Sequence, residues 1–210
     1  MPNVNSSPML KTKEAIEKRR SIRKFKPDSI PDEHIYELLN AARLAPSGCN
    51  AQPWRFKIVK DKEVKLRLAE AANNQMFIAN APVVLVCCAD IKGYLNSSVS
   101  YIQDLGKNGS IEERIIKILL ERTEKQKTLN MEQISPRIAF NVAIAVEHII
   151  LRALDFGLGT CWVRLINEKM IREMFGWDSN IHVVALLPIG YPDELPKKRK
   201  RLEIKDILID

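Results

Sequence analysis

Hydrophobic positions along the chain switch between the spacing of a helix and that of a strand, and the switches mark out its elements. Pro31 followed by Asp32 and Glu33 is a helix start. Ile35, Leu38, Leu39 and Ala42 then recur at i, i+3, i+4 and i+7, one buried face of a helix that ends near Leu44, before Pro46. Ahead of it, Thr12 is placed to cap a short helix, KEAIEKRR, with Ile16 facing inward. Lys18, Arg19 and Arg20 fall in its last turn, where cations offset the negative end of the helix dipole. In RFKIVK, Phe56 and Ile58 alternate with Arg55 and Lys57, as in a half-buried strand. A helix is expected over 62–72, and VVLVCCA, Val83 to Ala89, reads as a strand buried on both faces.

Residues 91–135 differ in character. Weakly patterned segments with Gly93, Gly106 and Gly109 surround a charged, helix-like piece, IEERIIKILLERTEKQK, and the whole is expected to be an insert or lid within a single domain spanning 1–210. RIAFNVAIAVEHIILRALDFG, Arg137 to Gly157, is apolar almost all round, which predicts a central buried helix with Gly157 as its C-terminal cap. TCWV gives a short strand, Asn167 caps a helix that closes near Gly176, and IHVVALLPIG is a further buried strand. Trp54 and Trp162 are expected in the core, and Gly159 and Gly190 at turns.

Composition narrows the class. A hydrophobic fraction of 46% with 28% charged residues is that of an ordinary soluble protein. The apolar runs read as too short to cross a bilayer, and MPNVNSSPMLKTKE lacks the apolar stretch of a secretory signal, so no membrane partner and a cytoplasmic location are expected. Cys49, Cys87, Cys88 and Cys161 form neither a dense disulfide framework nor a C-x-x-C pair and read as free thiols. His34, His148 and His182 are scattered, and no metal site is expected.

Charge changes the picture more. The formal net charge is +7, concentrated in RRSIRKF (Arg19 to Phe25) and KKRKR (Lys197 to Arg201). Helix-dipole compensation accounts for the first two arginines but not for Arg23. A solvated segment is the plain reading of the tail. A nucleic-acid binder should add a reading element or interleaved aromatics, and neither is visible. There is no G-x-S-x-G elbow, no His near Ser47 in sequence, and no G-x-x-x-x-G-K-[ST] loop. The G-x-G at Gly157 and Gly159 ends a helix where a dinucleotide fingerprint would open one. Polar density lies instead in the loops RRSIR, PSGCNAQPW and CWVRLIN and in the tail. Guanidinium forks and Ser21 suit a phosphate, while Asn50 and Gln52 can each donate and accept along the edge of a heterocycle. Together these describe a mononucleotide.

RRSIRKF, APSGCNAQPWRF, GLGTCWV and LLPIGYPDELPKKRKR, in that order, resemble the FMN-dependent nitroreductase family over about Lys11 to Ile209. The resemblance implies an α+β fold: a central mixed, mostly antiparallel sheet surrounded by helices, in a homodimer with FMN at its interface. It implies that Arg19, Arg20, Ser21 and Arg23, joined by Lys197 and Arg199, hold the ribityl phosphate. Pro46, Ser47 and Asn50 would lie against the isoalloxazine, Pro46 and Ser47 reaching over from the other subunit, with Gln52 supporting the loop. Val163, Arg164 and Leu165 would flank the redox-active edge. The implied activity is ping-pong electron transfer from NAD(P)H through FMN to an oxidised small-molecule acceptor such as a nitroaromatic or quinone, with no catalytic side chain required. Arg164 stands where many relatives have a small residue. Arg137 and Asn141 lie near a position where relatives often have an acid, so pocket polarity does not carry over. The alternatives are a flavin enzyme of the same fold performing reductive dehalogenation or dehydrogenation, and a basic anion- or nucleic-acid-binding module. The tail LEIKDILID alternates like an edge strand, expected to pair with a partner's sheet.

Overall fold

The structure is a computed structural model in which residues 10–209 are described. Four strands form one sheet: β1 (Trp54–Val59), β2 (Val83–Asp90), β3 (Gly159–Thr160) and β4 (Ile181–Gly190), in the order β1-β2-β4-β3. All three strand pairs are antiparallel, with Phe56 opposite Cys87 and Leu85 opposite Leu187. The parallel component of the expected mixed sheet is reduced, among the described residues, to one bridge between Ser21 and Thr160.

The helices are α1 (Thr12–Lys18), α2 (Asp32–Arg43), α3 (Lys62–Ala71), α4 (Phe77–Asn80), α5 (Ile91–Lys107), α6 (Glu113–Lys127), α7 (Met131–Ala153) and α8 (Glu168–Phe175). Period-two alternation along β2 divides them between the two faces of the sheet. Leu85, Cys87 and Ala89 cluster with Leu38 of α2 and with Val142 and Ile149 of α7. Val84, Val86 and Cys88 cluster with Leu68, Ile78 and Ile171 of α3, α4 and α8. Both neighbours of β2 are strands and both its faces are covered, which is why its residues are apolar without interruption. The register slips between Cys87 and Cys88, which pair with Ala185 and Val183 and leave Val184 as a bulge. Val184 and Leu187, an odd number apart, therefore reach the same face. Cys87, Cys88 and Cys161 are buried free thiols, and burial pushes Cys88 up to about 12.

Several expectations need correction. Helix α1 stops at Lys18, so Arg19 and Arg20 lie beyond its last turn. Its buried residue is Ala15, and Ile16 is exposed. Helix α7 begins six residues earlier than Arg137 because Asn130 and Gln133 form a reciprocal capping box, which carries the helix through Pro136. Nor is α7 buried all round, since Phe140 is 74% exposed and Ile144 40%. By length and composition alone the stretch Met131–Phe156 could cross a membrane; here its inner face packs against the sheet and α2. Residues 91–135, where one helix-like piece was expected between weakly patterned segments, form α5, α6 and the start of α7. Gly106 admits Ile116, whose Cδ1 would lie 2.3 Å from an added Cβ, and Gly190 lies within β4 against Pro82 and Phe25. Residues Ile204–Asp206 form a 3-10 turn instead of an edge strand.

Glu168 ties α8 to β4. Its carboxylate accepts from the Val183 N–H and Arg172 and lies 3.1 Å from Nδ1 of His182. Burial pushes this carboxyl up, but the bonds from His182 and Val183 and the charge of Arg172 outweigh it and hold it below its ordinary 4.5. A carboxyl held low contributes stability above its unfolded value and loses it as pH falls through the folded value. Glu168→Gln should therefore cost about 1–3 kcal/mol at neutral pH. The gap from wild type in thermal melting should close as pH drops below 4.5; a gap independent of pH would contradict this assignment.

Candidate functional site

The segment after α1 is fixed to the sheet edge by backbone bonds on two sides. The Ile22 N–H donates to the Thr160 carbonyl at 2.9 Å, next to the Ser21 bridge. This approach needs Gly159, where an added Cβ would lie 2.5 Å from Cγ1 of Ile22 and 3.0 Å from Cγ of Pro192. On the other side, Lys26 N–H donates to the Tyr191 carbonyl and Asp193 N–H to the Lys24 carbonyl, both at 2.9 Å, around a bridge between Phe25 and Pro192. Glu194 completes the clamp: its carboxylate accepts from the backbone N–H groups of Arg23 and Lys24.

This clamp brings the two basic clusters together. Arg19, Arg20, Ser21 and Arg23 line one cavity of about 570 Å³ with Lys197, Lys198, Arg199 and Arg201. The seven cations there outnumber the two carboxylates, Glu17 and Glu194, so the cavity favours an anion. Arg20 is held in place by its own backbone, donating from Nη1 to the carbonyls of Glu17 at 2.9 Å and Arg19 at 2.7 Å. The Arg23 guanidinium lies 5.9 Å from the centroid of the Phe77 ring, an orienting cation–π contact. Lys198, Arg201 and the clamp residue Glu194 were missed from sequence, although all three lie in or beside the motif PDELPKKRKR.

The other candidates lie outside this cavity. Pro46 and Ser47 lead into a 3-10 turn, Gly48–Asn50. Cys49, Asn50 and Gln52 have φ values of 53°, 55° and 45°, three non-glycine residues at positive φ, at about 1–3 kcal/mol of strain per residue. Bonds hold it there: Ser47 Oγ accepts from the Gln52 N–H at 3.0 Å, and Asn141 Oδ1 on α7 accepts from the Gly48 N–H at 2.9 Å. Cys49 borders the 91–135 helices; burial pushes its thiol up while Arg122 opposes, and burial likewise raises Tyr94. Val163 is buried and exchanges both backbone bonds with Leu186 at 3.0 Å, whereas Arg164 and Leu165 are exposed. A single chain thus assembles the cationic residues and leaves the loop at 46–52 and the segment 163–165 as separate surfaces.

Comparison with known proteins fixes the class. The nitroreductase family profile matches residues 16–191, and the chain belongs to that family. A protein of Thermus thermophilus named NADH dehydrogenase is 30% identical over 96% of this chain and 97% of its own length. An iodotyrosine deiodinase of Thermotoga neapolitana is 28% identical over 89% of this chain and 91% of its own. The fold is shared with a protein of Exiguobacterium sibiricum described as a nitroreductase and solved in complex with FMN. That match has a TM-score of 0.79 at 24% identity, covering 98% and 99% of the two chains.

Gly159→Ala should destabilise the protein by about 1–3 kcal/mol, because the new methyl overpacks the Ile22 contact. An unchanged urea midpoint would show that the edge yields freely.

Proposed function

We propose that this chain is an FMN-dependent oxidoreductase that takes electrons from NAD(P)H and passes them to an oxidised small molecule. The observation that carries the reading is the convergence of the two basic clusters on one cavity, in a chain of the nitroreductase family. The donor set fits the group: guanidinium forks and one hydroxyl can take a phosphate dianion, and the cavity is closed on one side by the clamp. Bound FMN would supply the hydride-accepting and electron-donating chemistry. The protein's own part is to bind and orient. Arg19, Arg20, Ser21, Arg23, Lys197 and Arg199 hold the phosphate. Pro46, Ser47, Asn50 and Gln52 present their loop to the ring system, and Val163, Arg164 and Leu165 border its reactive edge. The exposed Arg164 would add positive charge beside a bound flavin.

Two copies complete the site. Phe140 and Ile144 stand one turn apart on the outer face of α7, where this chain leaves them uncovered. A second copy laid on that face buries them and carries the loop at 46–52 to its neighbour's flavin. Leu202 and Ile204 of the tail, also exposed, wrap that partner. Helices α5 and α6 form a lid beside the loop, whose half-buried Ile115, Ile116, Leu119 and Leu120 tune acceptor choice. A reductive dehalogenation is the second reading, favoured by the similarity to the Thermotoga deiodinase. A cavity fits a small anion better than it fits nucleic acid.

Purified protein should be yellow, absorbing at about 450 nm and releasing FMN on denaturation; colourless protein with salt-dependent DNA binding would refute the reading. Arg23→Ala and Arg199→Ala should each weaken FMN binding by about 1.5–3 kcal/mol, and unchanged affinity in both would remove the phosphate assignment. Phe140→Glu should shift sedimentation towards monomer with loss of flavin. A flavin-saturated monomer would contradict the shared site.

A further inference from the structure

We infer that Asn141 is a positioning residue: by holding the Gly48 N–H it fixes the loop of residues 46–52 at the height where that loop meets the flavin. The inference rests on the FMN reading above. Asn141 lies 93 positions from Gly48 and is outside the set proposed to touch the cofactor.

The loop cannot keep its shape alone. Its left-handed residues Cys49, Asn50 and Gln52 would relax unless neighbouring bonds over-determined them. The bonds from Gln52 N–H to Ser47 Oγ and from Ala51 N–H to the Gly48 carbonyl close the loop on itself without tying it to the core. Three bonds reach further, the first from Arg55 on β1, whose Nη1 donates to the Gln52 carbonyl at 3.2 Å. Behind the loop, Asp90 N–H donates to the Pro53 carbonyl at 2.9 Å, fastening it to β2. In front, Asn141 fastens it to α7.

Asn141 itself has no reason to be asparagine on account of its helix. It is half-buried between the buried residues Ile138 and Val142, where asparagine is a poor helix former and an apolar residue would extend the core. Its amide is oriented for the task. Nδ2 donates to the Ile138 carbonyl at 3.2 Å, which turns Oδ1 towards Gly48. Because what the loop presents is a backbone donor, the anchor depends on the side chain at 141 and not on the one at 48.

Because misplacement on the order of 1 Å can cost a hundredfold in rate, a loosened loop should show in turnover before it shows in cofactor retention. The test compares holoenzyme of wild type, Asn141→Leu, Asn141→Ala and Asn141→Asp. With the phosphate grip intact, Asn141→Leu should keep its FMN, shift the flavin absorption band and lower kcat for quinone reduction by about tenfold. Asn141→Asp, which keeps the acceptor oxygen, should recover most of the rate and the wild-type spectrum. If Asn141→Leu does not fold, Asn141→Ala supplies the same comparison with less steric change. Variants that only melt earlier, with unaltered flavin spectrum, kcat and KM, would reduce Asn141 to a structural residue and overturn the inference. Colourless wild type would instead overturn the FMN reading on which it rests.

Discussion

The candidate site depends on one close backbone approach, the seating of residues 21–26 between Thr160 on one side and residues 191–194 on the other. Hydrogen bonds at 2.9 Å secure both sides, and Gly159 makes room for the first of them by having no side chain. Without this seat, Arg23 and Glu194, 171 positions apart, would have no reason to meet. With it, the stretch leaving α1 and the stretch leaving β4 run out of the protein side by side, and their cations must share one cavity. Like charges held together repel, so the clamp stores an electrostatic cost that an anion relieves. Binding and local stability are thereby linked: a ligand that neutralises the cluster also tightens the sheet edge.

A second constraint governs the loop at 46–52. Its left-handed backbone is unfavourable taken alone, and it is held by side chains from β1, α7 and the loop itself. The sheet beneath supplies rigidity. β2 is covered on both faces and paired on both edges, and the bulge at Val184 lets β4 keep both its faces apolar despite a register slip.

Most of the fold was legible in the sequence because its elements have clean periodicity. The face of α2 at Ile35, Leu38 and Ala42, the buried run of β2, and the Asn167 and Gly176 ends of α8 all follow from local rules. Misreadings occurred where tertiary contacts override local pattern. The apolar run alone placed the start of α7 at Arg137, but the Asn130–Gln133 box starts the helix at Met131. Ile16 was placed inward by hydrophobicity, whereas in this chain the short α1 buries Ala15 and turns Ile16 towards the cationic cavity. Gly106, read only as part of a weakly patterned segment, and Gly190, read as a turn, are packing glycines, a use that sequence alone does not reveal. The cationic half of the site was legible as charge surplus, and its convergence was carried by motif order. The anchors Glu194 and Asn141 were not, because each acts through a backbone N–H whose partner is set only by the fold.

The central claim is that the two basic segments act as a single grip on one phosphate. Calorimetric titration of the apoprotein with FMN and with riboflavin, which differ by that phosphate alone, tests it most directly. If two charge-assisted bonds contribute about 1.5 kcal/mol each, FMN should bind on the order of a hundredfold more tightly than riboflavin, and added salt should narrow the difference. Equal affinity for the two flavins, unchanged by salt, would contradict the account.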